Sequence, residues 1–234
     1  MKASDVKKEL KKYINKQKAE KYKSFFKTAK GDYGEGDIFL GVVVPDQRKV
    51  AKIYKDLPID EIEILLHDPI HECRFTALVI LINCFEKASE SEKETYVNLY
   101  MYNYTQVNNW DLVDVSAPKI LGPWFYDKER KTLYEWAKSG HLWKERIAIM
   151  STFYFIKKND YKDALAIADI LLNHDHDLIH KAVGWMIREI GNRDLDIEIN
   201  FLKNRYKKMP RTMLRYAIEK FPEKLRKSYL HGEI

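Results

Sequence analysis

Arg146-Ile-Ala-Ile-Met150 has three counterparts along the chain: Arg74-Phe-Thr-Ala-Leu78 before it, and Lys181-Ala-Val-Gly-Trp185 and Arg215-Tyr-Ala-Ile-Glu219 after it. Each is a basic residue followed by small or apolar residues, placed on the second helix of a helical pair. The basic positions lie 72, 35 and 34 residues apart, and 72 is twice 36. The missing member falls at Trp110, within Asn108-Asn-Trp110-Asp-Leu-Val-Asp114. Such a period belongs to solenoids of helical pairs, where each pair buries its faces against its neighbours and equivalent positions line up along a concave wall. The sequence therefore predicts an all-α superhelix with a concave basic groove.

Hydrophobic periodicity supports this outward from the repeat. Helices are expected over 4–29 (whole or broken), 46–55, 59–67, 70–86, 91–105, 109–114 running on past Pro118, 129–138, 141–158, 161–172, 177–190, 195–207, 211–219 and 222–229. All seven prolines fall at or near the edges of these segments, and no segment alternates as a half-buried strand does. Nine glycines and seven prolines are too few for the turns of a sandwich or barrel. The chain is expected to form a single domain over 1–234, with atypical helices over about 1–57 and repeats over about 58–234. Two cysteines, Cys73 and Cys84, share one apolar helical run too far apart to bridge, so no disulfide framework is expected. The N-terminal residues are charged throughout, unlike a signal peptide, and the longest apolar stretch, around 77–82, is too short to cross a bilayer. A cytoplasmic protein, nucleoid-associated when on DNA, is the expectation.

Lys and Arg number 41 against 35 Asp and Glu, a formal charge of +6. That suggests a polyanionic partner. Arg74, Arg146, Lys181 and Arg215 would form a cationic stripe suited to the phosphates of duplex DNA, interrupted by Trp110. Each cation could instead pair with an acid on the next helix. Trp110 and Asp114 lie four apart on one helical face, whereas Asp111 is rotated by about 100° and suits capping or local bonds. A carboxylate repels phosphate, so its presence implies a target that is positive or becomes so in a transition state. Trp185, four beyond Lys181 as Asp114 is four beyond Trp110, is expected to face the same site. Trp124, Trp136 and Trp143 lack that register and are assigned to packing. Indole faces attract cations and sugar C–H edges, and a carboxylate stabilises an oxocarbenium ion and orients water. With duplex binding, these point to N-glycosidic cleavage of a cationic, alkylated base. Such a base leaves without protonation, so one carboxylate suffices.

Trp110-Asp-Leu-Val-Asp114 with Pro118 and Leu121-Gly122, then Trp143-Lys-Glu-Arg146-Ile-Ala, then Lys181-Ala-Val-Gly-Trp185-Met-Ile-Arg188-Glu189 resemble the DNA alkylation repair family, the AlkD-type DNA glycosylases. Phe39-Leu-Gly41-Val-Val-Val-Pro45-Asp-Gln-Arg48 resembles that family's N-terminal segment, and the likeness runs from about Phe25 to Arg215. It implies a HEAT-like superhelix that excises cationic N3- and N7-alkylpurines without drawing the base into a pocket. It also implies that Trp110, Asp114 and Trp185 contact the deoxyribose as the catalytic set, and that Arg146 contacts phosphate. The family's N-terminal aromatic is commonly tyrosine. Phe25 or Phe26 stands there in this chain, without a hydroxyl. Arg48 and Phe25 join Arg146, Lys181, Arg74 and Arg215 as expected DNA-binding residues.

No metal or cofactor is expected. His176 and His180 are four apart near His174, Asp175 and Asp177. However, His176 and His141 both lie five residues before the repeat's basic position, in an inter-helix turn where side chains cap helices. The Gly31–Asp37 loop lacks the lysine and helix of a phosphate-binding loop. The expected partner is double-stranded DNA carrying alkylated purines, bound by a monomer away from any membrane. The alternative is a non-catalytic helical module that binds DNA structure or a protein.

Overall fold

The computed structural model describes all residues, Met1–Ile234. It is all-α, with fourteen α-helices: α1 (Ala3–Leu10), α2 (Lys16–Phe25), α3 (Val44–Ile53), α4 (Ile59–Leu66), α5 (His71–Lys87), α6 (Glu90–Tyr102), α7 (Trp110–Tyr126), α8 (Lys131–Ala137), α9 (Leu142–Lys157), α10 (Lys162–Ile170), α11 (Asp177–Gly191), α12 (Leu195–Lys203), α13 (Arg211–Ala217) and α14 (Glu223–His231). Extended pairing is confined to one isolated parallel bridge, Ile38 with Ile70. No helix is long and apolar enough to cross a membrane.

The expected stretch over 4–29 is broken. A 3-10 turn over Lys11–Tyr13 ends α1, and Asn15 starts α2 afresh by accepting the Lys18 N–H on its side chain. This is the local bond that makes Asn a good N-cap and a poor interior residue. Two prolines depart from expectation in the other direction: Pro118 and Pro123 lie inside α7 rather than at its edges. The histidines in the later turns do cap. His141 accepts from the Trp143 amide and His176 from the Leu178 amide, which starts α9 and α11.

The chain forms two compact units, Met1–Ser116 and Ala117–Ile234, which divide within α7. In the first, α5 is the central helix, packed by α1, α3, α4 and α6. It is buried on every face from His71 to Ile82, as expected of a helix apolar all round. Burial includes the charged residues of its first turn, His71, Glu72 and Arg74, which must therefore find partners inside the protein. Burial also pushes the Cys73 thiol up to about 12, so this cysteine is inert at neutral pH.

In the second unit α9 packs against α8, α10 and α11, and α11 packs against α12 and α13. Gly184 permits the last contact, because a Cβ there would lie 2.4 Å from the Met213 carbonyl oxygen and 2.6 Å from the Tyr216 Cβ. Counted from the first residue of each helix, Arg146, Lys181 and Arg215 all occupy the fifth position of α9, α11 and α13. In α7 the fifth position is Asp114, and Trp110 is the first. The repeat thus aligns the acid, not the tryptophan, with the cations. The sequence spacing placed this register one helical turn too early.

Glu198 of α12 is buried, and its Oε1 has no hydrogen-bond partner. Burial drives its pKa up to about 8, with Arg188 opposing. A carboxyl whose pKa is raised by folding stabilises fully below its unfolded value of 4.5 and loses that contribution as pH climbs through about 8. Glu198→Gln is therefore expected to match the parent's melting temperature at pH 4.5 and to exceed it by roughly 3–8 °C at pH 8.5, read by calorimetry.

Candidate functional site

The extended segment after Gly36 is held to the start of α5 by backbone and side-chain bonds. The His71 N–H donates to the Ile38 carbonyl, and the Ile38 N–H to that of Pro69. The Glu72 carboxylate accepts from the amides of Leu40, Gly41 and Val42. Three amides directed at one anion make its burial tolerable. Gly41, at φ +78°, brings this segment against α2: a Cβ would lie 2.1 Å from the Asn15 carbonyl oxygen. The Leu40 carbonyl then accepts from the Asn15 N–H at 3.0 Å. Through these contacts α2 presents Tyr22, Phe25 and Phe26 to Phe39 and Trp110.

Beneath the aromatics lies an ionic cluster. His71 Nδ1–H donates to Asp37 Oδ2 at 2.9 Å and Nε2–H to Asp111 Oδ2 at 2.8 Å. Arg74 Nη2 donates to the second oxygen of Asp37 at 2.6 Å and to Asn108 Oδ1 at 3.2 Å, while Nη1 donates to the Asp68 carbonyl at 3.0 Å. Burial by itself would push His71 down. The charge of Asp111 and the hydrogen bonds to Asp111 and Asp37 outweigh it and Arg74, raising the pKa to about 9. Asp37 is correspondingly lowered: the His71 hydrogen bond and the Arg74 charge overcome its own desolvation. The imidazolium ring also packs against Phe26 and Phe39, with centroids 4.9 and 4.8 Å away. Aromatic faces favour the cation further.

Trp110 caps this stack. Its indole lies 5.5 Å from the Phe26 ring at 22° and 5.7 Å from the Phe25 ring at 72°. The helix that carries it begins just after Asn109, whose Oδ1 accepts the Trp110 N–H. Of the two candidate N-terminal aromatics, Phe25 is 61% exposed and Phe26 is buried, so Phe25 is the one open to a ligand. Asp114 is half-buried one turn along α7. A pocket of about 290 Å³ opens among Tyr22, Phe25, Phe39, Gln47, Trp110 and Asp111.

In the second unit, Trp185 is half-buried, donates its indole N–H to Glu189 at 3.2 Å and lies 6.0 Å from Phe153. Lys157 sits over the Phe153 ring at 4.4 Å. Lys181 pairs with Asp177 at 2.7 Å, and Arg215 and Arg48 are exposed. Trp136 and Trp143 are buried, as the packing assignment requires, whereas Trp124 is half-buried under Lys128 at 4.0 Å.

The cationic stripe needs correction. Arg74 is 3% exposed and bound to Asp37; Arg146 is 4% exposed and donates to the Leu178 carbonyl. Neither presents a guanidinium at the surface, which leaves Lys181 and Arg215 as its surface members. Sequence reading also missed His71, Asp37 and Glu72. The available signal was His71-Glu72-Cys73-Arg74 at the head of the long apolar run of α5, where three charges enter the core together.

His71→Ala would leave two carboxylates facing each other under Trp110. It is expected to destabilise the first unit by about 3 kcal/mol or more in denaturant titrations. A group raised by folding stabilises fully below its unfolded value of 6.5 and loses that contribution as pH passes about 9. The ring nitrogens, followed by NMR on histidine-labelled protein, are expected to stay protonated through pH 8; titration near 6.5 would rule out the ionic clamp.

The family model for "DNA alkylation repair enzyme" matches residues 6–221. The fold is similar to that of a solved structure described as a predicted DNA alkylation repair enzyme from Enterococcus faecalis. The two share 16% identity and a TM-score of 0.71, over 90% of this chain and 97% of that one. No curated protein matches the sequence. With nearly its whole length accounted for by one family, this chain belongs to the DNA alkylation repair enzymes.

Proposed function

We propose that the protein is a monofunctional DNA N-glycosylase that removes cationic N3- and N7-alkylpurines from duplex DNA, without turning the base into a pocket for cleavage. The observation that carries this reading is the start of α7. Half-buried Trp110 is met edge-on by exposed Phe25, and a half-buried carboxylate, Asp114, stands one turn further along the same helix.

An alkylated purine carries its leaving-group activation already. The C1′–N bond breaks with its electron pair passing to the cationic ring, which departs neutral. The sugar is left as an oxocarbenium ion. Asp114 stabilises that cation and orients the water that attacks C1′; the water's proton passes to the carboxylate and on to solvent. Trp110 offers its π face to the sugar, with Trp185 assigned the second indole contact from the family likeness. Lys181, Arg215 and Arg48 hold phosphates. Arg146 acts behind them by fixing the first turn of α11, and Arg74 by holding Asp37. The reaction consumes only water, so no metal or cofactor is assigned. The family likeness implies no active-site lysine, so no Schiff base forms and the strand stays intact. The protein would work as a monomer on double-stranded DNA in the cytoplasm, at the nucleoid.

Release of 7-methylguanine from methylated duplex tests this directly. Asp114→Asn is expected to slow release on the order of 10²-fold at unchanged DNA affinity, with Trp110→Ala and Trp185→Ala also impaired. Full activity in Asp114→Asn would remove the carboxylate from the mechanism. Duplex affinity should fall linearly with salt on logarithmic axes, and Lys181→Ala should lower that slope by about one. A flat salt response would exclude phosphate contacts.

A further inference from the structure

Trp110 and Trp185 are both half-buried, but they are held by different means. Trp110 packs on two rings, Phe26 at 5.5 Å and Phe25 at 5.7 Å. The ring contact of Trp185 is looser: its centroid lies 6.0 Å from that of Phe153, with the planes at 47°, neither stacked nor edge-on. Packing of that kind leaves the indole plane poorly defined, so something else must set it.

The indole N–H supplies the missing constraint. Trp185 Nε1 donates to Glu189 Oε1 at 3.2 Å, one turn further along α11. Side chains of a helix lean back toward its N-terminus, so residue 189 covers the turn that carries residue 185. The second carboxylate oxygen, Oε2, accepts from Arg193 Nη1 at 2.9 Å. The same nitrogen donates to the Glu189 carbonyl at 2.6 Å, among the last carbonyls of α11, where a cation is favoured. Glu189 is therefore tied at both oxygens, and Arg193 is anchored to the helix end. The Glu189 side chain is 18% exposed, so water competes weakly for either bond. The bond also has an electronic consequence. An N–H shared with an anion shifts electron density onto the indole, and a richer π face attracts a cation more strongly.

We propose that Glu189 is a positioning residue for Trp185: it sets the plane and enriches the π face of the indole that meets the deoxyribose, with Arg193 as its brace. For its effect on cleavage this inference rests on the glycosylase reading above. The orientation of the indole does not depend on that reading.

The indole N–H resonance of Trp185, assigned in the ¹⁵N-labelled full chain by its loss in Trp185→Phe, reads the bond directly. It is expected downfield in the parent and is expected to move upfield in Glu189→Leu; an unmoved resonance would overturn the proposal. Release of 7-methylguanine from methylated duplex at saturating protein reads the consequence. Glu189→Leu and Trp185→Phe are each expected to slow the chemical step about tenfold, the worth of one hydrogen bond, without weakening DNA binding.

The double variant separates positioning from plain stability. If Glu189 acts through the indole N–H, Glu189→Leu adds nothing once Trp185→Phe has removed that group, and the double variant stays about tenfold slower. Independent effects would multiply to about a hundredfold, and that result would refute the assignment, as would a full rate in Glu189→Leu. Should Glu189→Leu fail to fold, Arg193→Met removes the brace at a side chain that is 26% exposed. A partial upfield shift and a slowing of about threefold are then expected, and no change in either counts against the proposal. A parent that releases no 7-methylguanine sinks the glycosylase reading, and the resonance alone then decides whether Glu189 holds the indole.

Discussion

The first unit depends on one buried cation. The His71 imidazolium joins four pieces of chain that are far apart in sequence: α5, which carries it; the segment at Asp37; the start of α7 at Asp111; and α2 through Phe26. A neutral imidazole could donate only one of its two hydrogen bonds, and one carboxylate would be left buried without a proton to accept. Two anions and two aromatic faces stabilise the cation, and the cation in turn makes the burial of those anions possible. Remove the imidazolium or either carboxylate and a charge is left unpaired in a dry interior, where electrostatic interactions are largest.

This clamp fixes the aromatics above it. Phe26 lies between His71 and Trp110, so the orientation of the indole is set by packing on a ring that itself rests on the imidazolium. Glu72 does the same for the other side, fastening three consecutive amides and so fixing the path of Leu40 to Val42 beside α2. Walls built from packed rings do not have to be ordered when a ligand binds against them. Phe25 is the exception. It is largely exposed, held by ring contacts with Phe26 and Trp110, and it is the wall most able to move aside.

Much of this fold was legible because helical periodicity and turn chemistry are local. The later helices, their pairing, and the capping roles of His141 and His176 follow from spacing alone. The break after α1 was less visible because lysines surround Asn15 on both sides and mask the end of an apolar face. The site was half-readable. The tryptophans and Asp114 stand out as residues a solvent-facing helix does not need, and Phe25 follows from the family likeness. Arg74 and His71 were misjudged or missed for one reason: whether a charge faces water or a partner depends on residues 30 to 40 positions away, and no local pattern records that. Asp37 lay in a loop set aside for lacking cations, yet its value to the fold is that it is an anion.

The helical register also gives Asp114 a meaning that the sequence spacing had obscured. In α9, α11 and α13 the fifth residue is a cation, near the helix end whose dipole disfavours positive charge. Two of those cations have local compensation: Lys181 has Asp177, and Arg146 has the Leu178 carbonyl. In α7 the same position carries the opposite sign, and there the dipole favours the charge. The chain thus uses the buried acid Asp37 to hold the scaffold and carries Asp114 on a half-buried face of α7, toward the end where the helix dipole is positive.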